Sequence, residues 1–500
     1  MSWRTISREA QAAVLESIPR RWRLDPENYA SLKDVRSVNC LTEWFFEDGL
    51  QQARELDEIL DKGGKLKGPL HGVPVALKDA VEVKGHAVTM GYVARRNNIA
   101  KEDCTIVRTL RAAGAVFFCK TTMPQSGMAL ETVSNLWGRT TNPFNRDLGA
   151  GGSSGGDATL VALRGSPIAP STDMGGSIRV PAAFNGLYGI RPTADRIPKG
   201  GMYNTNTGNL TIKLSCGPVC HSLDDLELFT KVINAHPHNK YDVTSVPVPW
   251  KSLDPLDRKL TIGVMKWDGV VMPHPPVLRA LEHTKQTLEK AGHEGNHYNR
   301  APFRLLGYQT NYGGRQFDIY YQSGSAGTMS TLAASGEPTI PAFADLLRVF
   351  NTREHSAAEA LRLNIKARAL KEQFADTWKD TAGRTTSGHT IDAVIAPPAP
   401  AVGYPHDFNI YWGYTSLFNL LDYPSIILPI HNFKVDPQLD PVDHNYRPLE
   451  TNPYDKPNYE LYDPNVFVNQ PSTIQIVGRP FEDEELIRVA SILDALFKAP

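Results

Sequence analysis

Two glycine–serine blocks carry most of the chemistry this chain could perform. The first reads Gly151-Gly152-Ser153-Ser154-Gly155-Gly156, and the second Asp173-Met174-Gly175-Gly176-Ser177-Ile178-Arg179. Glycine at this density makes a poor helix or strand interior, because it loses the most backbone freedom on ordering. It suits a loop that turns backbone N–H groups toward a reacting oxygen beside a nucleophile, where each such donor contributes about 3–4 kcal/mol. A serine hydroxyl stays a weak nucleophile until something takes its proton. No histidine lies near either serine in sequence. Lys78 ends the apolar run Gly72-Val73-Pro74-Val75-Ala76-Leu77. Desolvation at such a strand end depresses a lysine pKa and leaves a neutral amine able to act as a base. Alone, Lys78 reads as an exposed or salt-bridged lysine; its company changes that reading.

The Lys78 run through Asp79, the Ser153 block and the Ser177 block occur in that order. The last continues through Val180-Pro181-Ala182 toward Gly186-Leu187-Tyr188-Gly189-Ile190-Arg191-Pro192-Thr193. Together they resemble the amidase signature family of serine hydrolases, and the separation of Ser153 from Ser177 fits that family too. Gly68-Pro69-Leu70-His71-Gly72, Thr141-Asn142-Pro143, Ala396-Pro397 and Gln475-Ile476-Val477-Gly478-Arg479 also look like family positions. In detail the chain is most similar to the fungal acetamidase-like branch, from about Asn39 to the C-terminus.

That resemblance implies hydrolysis of a carboxamide to a carboxylic acid plus ammonia or an amine through an acyl-enzyme. Ser177 would be the nucleophile. Ser153, on a cis peptide bond, would relay a proton between Ser177 and Lys78, the ultimate base. The N–H groups of Met174, Gly175, Gly176 and Ser177 would form the oxyanion hole. Ser154 and Asp173 would orient this shell, with Arg179 as a structural partner for an acid. The resemblance implies no metal and no organic cofactor, a small-molecule amide as substrate, and allows a homodimer. Residues near Trp137, 300–330 and 411–417 are candidates for the acyl pocket.

The elements that must hold these residues alternate between helix and strand. Residues 5–19 have helical apolar spacing, halted by Pro19, and residues 45–60 read as a second helix. Residues 105–113 read as a helix stopped by Gly114, with the strand 115–119 after it. Residues 260–265, 391–396 and 425–429 read as strands; 276–291 and 482–497 read as amphipathic helices. The rhythm predicts an α/β fold, a mostly parallel or mixed sheet covered by helices on both faces. The resemblance sharpens this to an α/β/α sandwich on a large mixed twisted sheet. The expected organisation is an atypical, shortened head over 1–38 and one amidase domain over 39–500. The signature core occupies about 72–200, with variable segments at 300–385 and 432–471. The second of these, rich in Pro, Asp, Asn and Tyr, reads as a long surface excursion of the kind that forms lids or binding loops.

Composition narrows the remaining classes. A net charge of −1 gives no electrostatic case for nucleic acid or an anionic membrane. The five cysteines are scattered, which fits reduced thiols. No stretch approaches the roughly 18 apolar residues of a membrane span. The first 20 residues lack the apolar core of a secretion signal. A cytoplasmic protein is the expectation.

Four other readings compete. Gly151-x-Ser153-x-Gly155 satisfies the nucleophile elbow of α/β-hydrolases, which needs a later acid and histidine such as Asp392 and His406. A phosphate-cradling loop lacks a following Gly-Lys-[Ser/Thr]. The third is an amidase-like chain impaired by its head, since residues 24–38 contain nothing like the amphipathic helix relatives carry there. A glutamine-dependent amidotransferase subunit is another branch of the family, set apart by the acetamidase-like detail.

Overall fold

The computed structural model describes residues 1–17, 38–203, 209–297, 326–350, 354–408, 410–449 and 452–499. The segment 24–37 of the head and all of 300–325 lie outside the described residues. Strand β1 (Leu41–Trp44) and helices α1 (Trp3–Glu16) and α2 (Phe46–Asp61) open the chain. The run ending at Lys78 is β2 (Pro74–Lys78). Helix α3 (Thr105–Ala112) then leads to β3 (Val116–Thr121). A two-stranded hairpin, β4 (Val133–Ser134) and β5 (Gly138–Arg139), precedes the serine blocks. Helix α4 (Gly155–Ala162), β6 (Ile168–Asp173), α5 (Arg179–Phe184) and β7 (Tyr188–Arg191) follow. Then come β8 (Ser215–Cys220), α6 (Leu223–Asn234), β9 (Thr261–Val264), α7 (Pro275–Lys290) and β10 (Glu294–His297). Helices α8 (Ala326–Ser335), α9 (Pro341–Phe350) and α10 (Ala357–Lys379) precede β11 (Ala393–Ala396). The chain ends with α11 (Gly413–Leu421), β12 (Ser425–Lys434), α12 (Asp455–Leu461), β13 (Pro471–Val477) and α13 (Asp483–Lys498).

Eleven strands form one sheet in the order β1-β3-β2-β6-β8-β7-β12-β13-β11-β9-β10. The sheet is mixed. β2 runs parallel to β3 and β6, and β9 parallel to β10 and β11. The central neighbours β6–β8, β8–β7, β7–β12 and β12–β13 are antiparallel. The helix–glycine–strand rhythm therefore marks the parallel pairs toward the two ends of the sheet, while the middle is antiparallel.

Period-two alternation assigns the faces. Val75 and Leu77 join a cluster with Ile106 and Leu110 of α3, Phe229 of α6, Leu281 of α7 and Leu493 of α13. Ala76 joins the opposite cluster, with Ala158 and Val161 of α4 and Val180 and Phe184 of α5. Lys78, two residues beyond Ala76, faces that same side, toward the helices that follow the two serine blocks.

The segment joining β12 to β13 is anchored by buried polar groups. Asp455 accepts from Met272 N–H (2.8 Å) and Tyr446 Oη (2.7 Å), and Asp440 pairs with Arg279 of α7. All five cysteines are free and buried. No helix among the described residues is long and apolar enough to cross a membrane.

Candidate active site

Adjacent strands deliver the two halves of the site. Lys78 is the last residue of β2, and Thr172 and Asp173 end β6 beside it. The loop 174–178 then turns into α5, while the Ser153 block turns into α4 directly above the strand ends. The Gly152–Ser153 peptide bond is cis. Thr132 Oγ1 braces this loop at both ends. It donates to Gly151 O (2.8 Å) and accepts from Gly155 N–H (3.1 Å). Gly156 has to be glycine for a packing reason, since a Cβ there would lie 2.5 Å from the Thr122 backbone.

Lys78 is fully buried, and its Nζ donates to Ser153 Oγ (2.8 Å), Ser154 Oγ (2.8 Å) and Thr172 Oγ1 (2.9 Å). Burial lowers its pKa from 10.5 to about 8, against the opposing pull of Asp157 and Asp173. At pH 7 that leaves about a tenth of the amine neutral, against well under a thousandth for a lysine at its ordinary pKa. Ser154 also donates its N–H to Ser177 O (3.1 Å), so the two serine blocks touch directly.

The second block is organised by Asp173. One carboxylate oxygen accepts from Gly176 N–H (2.9 Å), Asn419 Nδ2 (2.8 Å) and Arg179 Nη2 (3.0 Å). The other accepts from Ile178 N–H (3.1 Å) and Arg179 Nε (3.0 Å). Burial would raise this carboxyl, but the Arg179 guanidinium and the Asn419 amide hold it well below the usual carboxylate range. Arg179 Nη1 reaches on to Gln475 Oε1 (2.8 Å) on β13. Gly176 has φ +134°, and a Cβ on it would lie 2.4 Å from Thr415 Oγ1. That hydroxyl donates to Gly175 O (2.7 Å), which turns the carbonyl toward α11.

Of the expected oxyanion donors, Gly176 N–H donates to Asp173 Oδ1 (2.9 Å). The N–H groups of Gly175 and Ser177 have no acceptor among the described residues.

Ser153 and Ser177 are 3% and 6% exposed and line one narrow cavity of about 30 Å³. Its wall includes Met90, Met123, Met128, Met174, Tyr203 and Leu214. No charged side chain lines it among the described residues. Helix α8 backs this wall, with Leu332 packed in the cluster of Ala80, Met90, Tyr92 and Met123. Trp137 lies elsewhere: it donates to Thr89 Oγ1 (3.0 Å) and packs under α1 with Ala10 and Leu136. Asp392 pairs with Arg258. His406 spends its ring nitrogens on Glu131 (3.2 Å) and Arg146 O (2.9 Å). Neither forms a hydrogen bond with a serine of the blocks, and the two are not paired with each other among the described residues.

Thr172, Thr132, Thr415, Asn419 and Asp157 take part without having been singled out from the sequence. Asp157 did carry a signal, as the one acid in the small-residue helix Gly155–Ala162.

Comparison with known proteins agrees with this architecture. The family model described as Amidase matches residues 30–487. An amidase of Gibberella zeae is 60% identical across all of both chains. That alignment spans 551 positions against 500 residues here, so the relative has residues with no counterpart in this chain. An acetamidase of Emericella nidulans is 38% identical over 91% of this chain and 82% of its own. Among solved structures, a fatty acid amide hydrolase superposes with a TM-score of 0.85 at 29% identity, covering 100% of this chain and 91% of that one. With its serine blocks meeting at a buried lysine on a mixed sheet, and with likeness of this extent, the chain belongs to the Amidase family of amide-hydrolysing enzymes.

Proposed function

We propose that Ser177 attacks the carbonyl of a carboxamide, with Ser153 passing its proton to neutral Lys78. The observation that carries this reading is the buried Lys78 Nζ hydrogen-bonded to Ser153 Oγ at 2.8 Å, with Ser153 and Ser177 lining one cavity. Formation of the Ser177 Oγ–carbon bond pushes electrons onto the carbonyl oxygen, which N–H groups of the 174–177 loop (Met174, Gly175, Gly176, Ser177) would receive, those of Gly175 and Ser177 having no other acceptor among the described residues. Collapse of that intermediate expels the amine, protonated from Lys78 through Ser153. Water then cleaves the acyl-enzyme by the same relay in reverse, releasing the acid and restoring Ser177. The supporting network of Asp173, Arg179, Asn419 and Thr415 keeps the donor loop in shape.

The neutral, methionine-rich and narrow cavity suits an uncharged amide with a small acyl group. The likeness to a named acetamidase points the same way.

Turnover of simple aliphatic amides by purified wild type, Ser177→Ala and Lys78→Ala tests the reading. Ser177→Ala abolishes turnover, and Lys78→Ala lowers kcat by about 10²–10⁴, the range of a lost general base. Activity that survives Lys78→Ala and vanishes in His406→Ala would restore the elbow reading.

A further inference from the structure

Asp157 is fully buried in the first turn of α4, and the mechanism above does not use it. Its carboxylate accepts from Thr121 Oγ1 on β3 and from Ser171 Oγ (2.6 Å) on β6. Those two strands flank β2, and Thr121 is the register partner of Lys78. The carboxylate thus hangs between the neighbours of Lys78's own strand, and it is absent from the cavity lining. Both of its hydrogen-bond donors are neutral. Among the described residues no Lys, Arg or His forms an ion pair with it.

We propose that Asp157 is a positioning residue acting through Lys78, its buried negative charge setting the pH at which Lys78 becomes a neutral base. This rests on Lys78 serving as the base proposed above. Of the charges around Lys78, Asp157 acts most strongly, followed by Asp173, which Arg179 neutralises. The thiols of Cys40 and Cys119 face Asp157, and that of Cys216 faces both groups. Burial pushes all three up, so they stay neutral over the working range. Burial also raises Asp157 to about 6, with Lys78 and the two hydroxyls opposing, which leaves it ionised where Lys78 titrates.

Removing an opposing charge lowers a lysine pKa. The acid limb of kcat/KM against pH therefore moves to lower pH in Asp157→Asn, by about one unit. Asparagine keeps the shape and can still pair with both hydroxyls. Asp157→Glu restores the charge and moves the limb back toward wild type. Should Asp157→Asn fail to fold, Ser171→Ala and Thr121→Val each remove one donor to the carboxylate and raise its pKa. Each then moves the limb in the same direction by less. An unmoved limb in these variants, or an equal loss of activity at every pH, overturns the inference. If Lys78→Ala is inactive while the limb stays put, this inference alone falls. If Lys78→Ala keeps wild-type activity, the proposed function falls and takes this with it.

Discussion

Replacing Arg179 with methionine should cripple this enzyme without touching a reacting atom. The guanidinium and Asp173 are both fully buried. The substitution deletes the Nε and Nη2 bonds to Asp173 and strands Gln475 Oε1 without the donor it now has. Removing one partner of a buried ion pair costs about 3–5 kcal/mol. Asp173 retains the N–H groups of Gly176 and Ile178 and the Asn419 amide, which places the loss at the lower end, about 3–4 kcal/mol. That is a large share of the roughly 5–15 kcal/mol that holds a protein folded. The sign of the pH effect follows from the carboxyl. In wild type its depressed pKa contributes stability that is present above the unfolded value and is lost only as pH falls well below the usual carboxylate range. Without Arg179, burial raises the pKa above its unfolded value, so protonation relieves the uncompensated charge and the variant's deficit shrinks between neutral pH and pH 5, while wild type does not change. Urea midpoints at the two pH values, with kcat/KM beside them, measure both effects. Adding Asp173→Asn should recover part of the stability, since the cost lies in the uncompensated charge. A loss below about 1 kcal/mol with no change in acid sensitivity would refute the reasoning.

Three further outcomes follow from the same geometry. Because neutral Lys78 is the active form, kcat/KM should rise about tenfold per pH unit below a midpoint near 8 and level above it; a flat profile from pH 6 to 9 contradicts this. Gly176→Ala forces a Cβ to within 2.4 Å of Thr415 Oγ1 at φ +134°, costing about 1–3 kcal/mol, and should lower kcat far more than it raises KM in steady-state assays. Thr132→Val removes both braces of the Ser153 loop, leaving Gly151 O and Gly155 N–H without this partner, and should both slow acylation by about tenfold or more in single-turnover kinetics and lower the melting temperature.

Local pattern made much of this molecule legible. The helix that Gly114 stops, the helical face of Leu281, Thr284 and Leu288, and the buried strand beginning at Ser425 all follow from periodicity and glycine punctuation. Lys78 was visible because an apolar strand ended in a charge. The antiparallel middle of the sheet was not, since pairing direction depends on connections that bury no distinctive pattern. The braces escaped notice for a similar reason. Thr132, Thr415 and Asn419 are ordinary polar residues whose roles come from carbonyls and carboxylates far away in sequence, 246 positions away for Asn419 and Asp173. The donor set of the 174–177 loop looked uniform in sequence because every residue there has an N–H. Only the fold shows that Asp173 engages one of them. The 432–471 segment, open and polar by composition, proves to bury Asp440, Asn452, Asp455 and Asn458, each with hydrogen-bond partners.

The central claim is that Ser177, and not Ser153 or Ser154, forms the covalent bond. Treating the purified protein with a serine-directed fluorophosphonate and mapping the adduct by peptide mass spectrometry tests it directly. The account predicts one adduct, on Ser177, abolished in Ser177→Ala and formed much more slowly in Lys78→Ala. An adduct on Ser153 or Ser154, or amide turnover that survives complete labelling of Ser177, would contradict it.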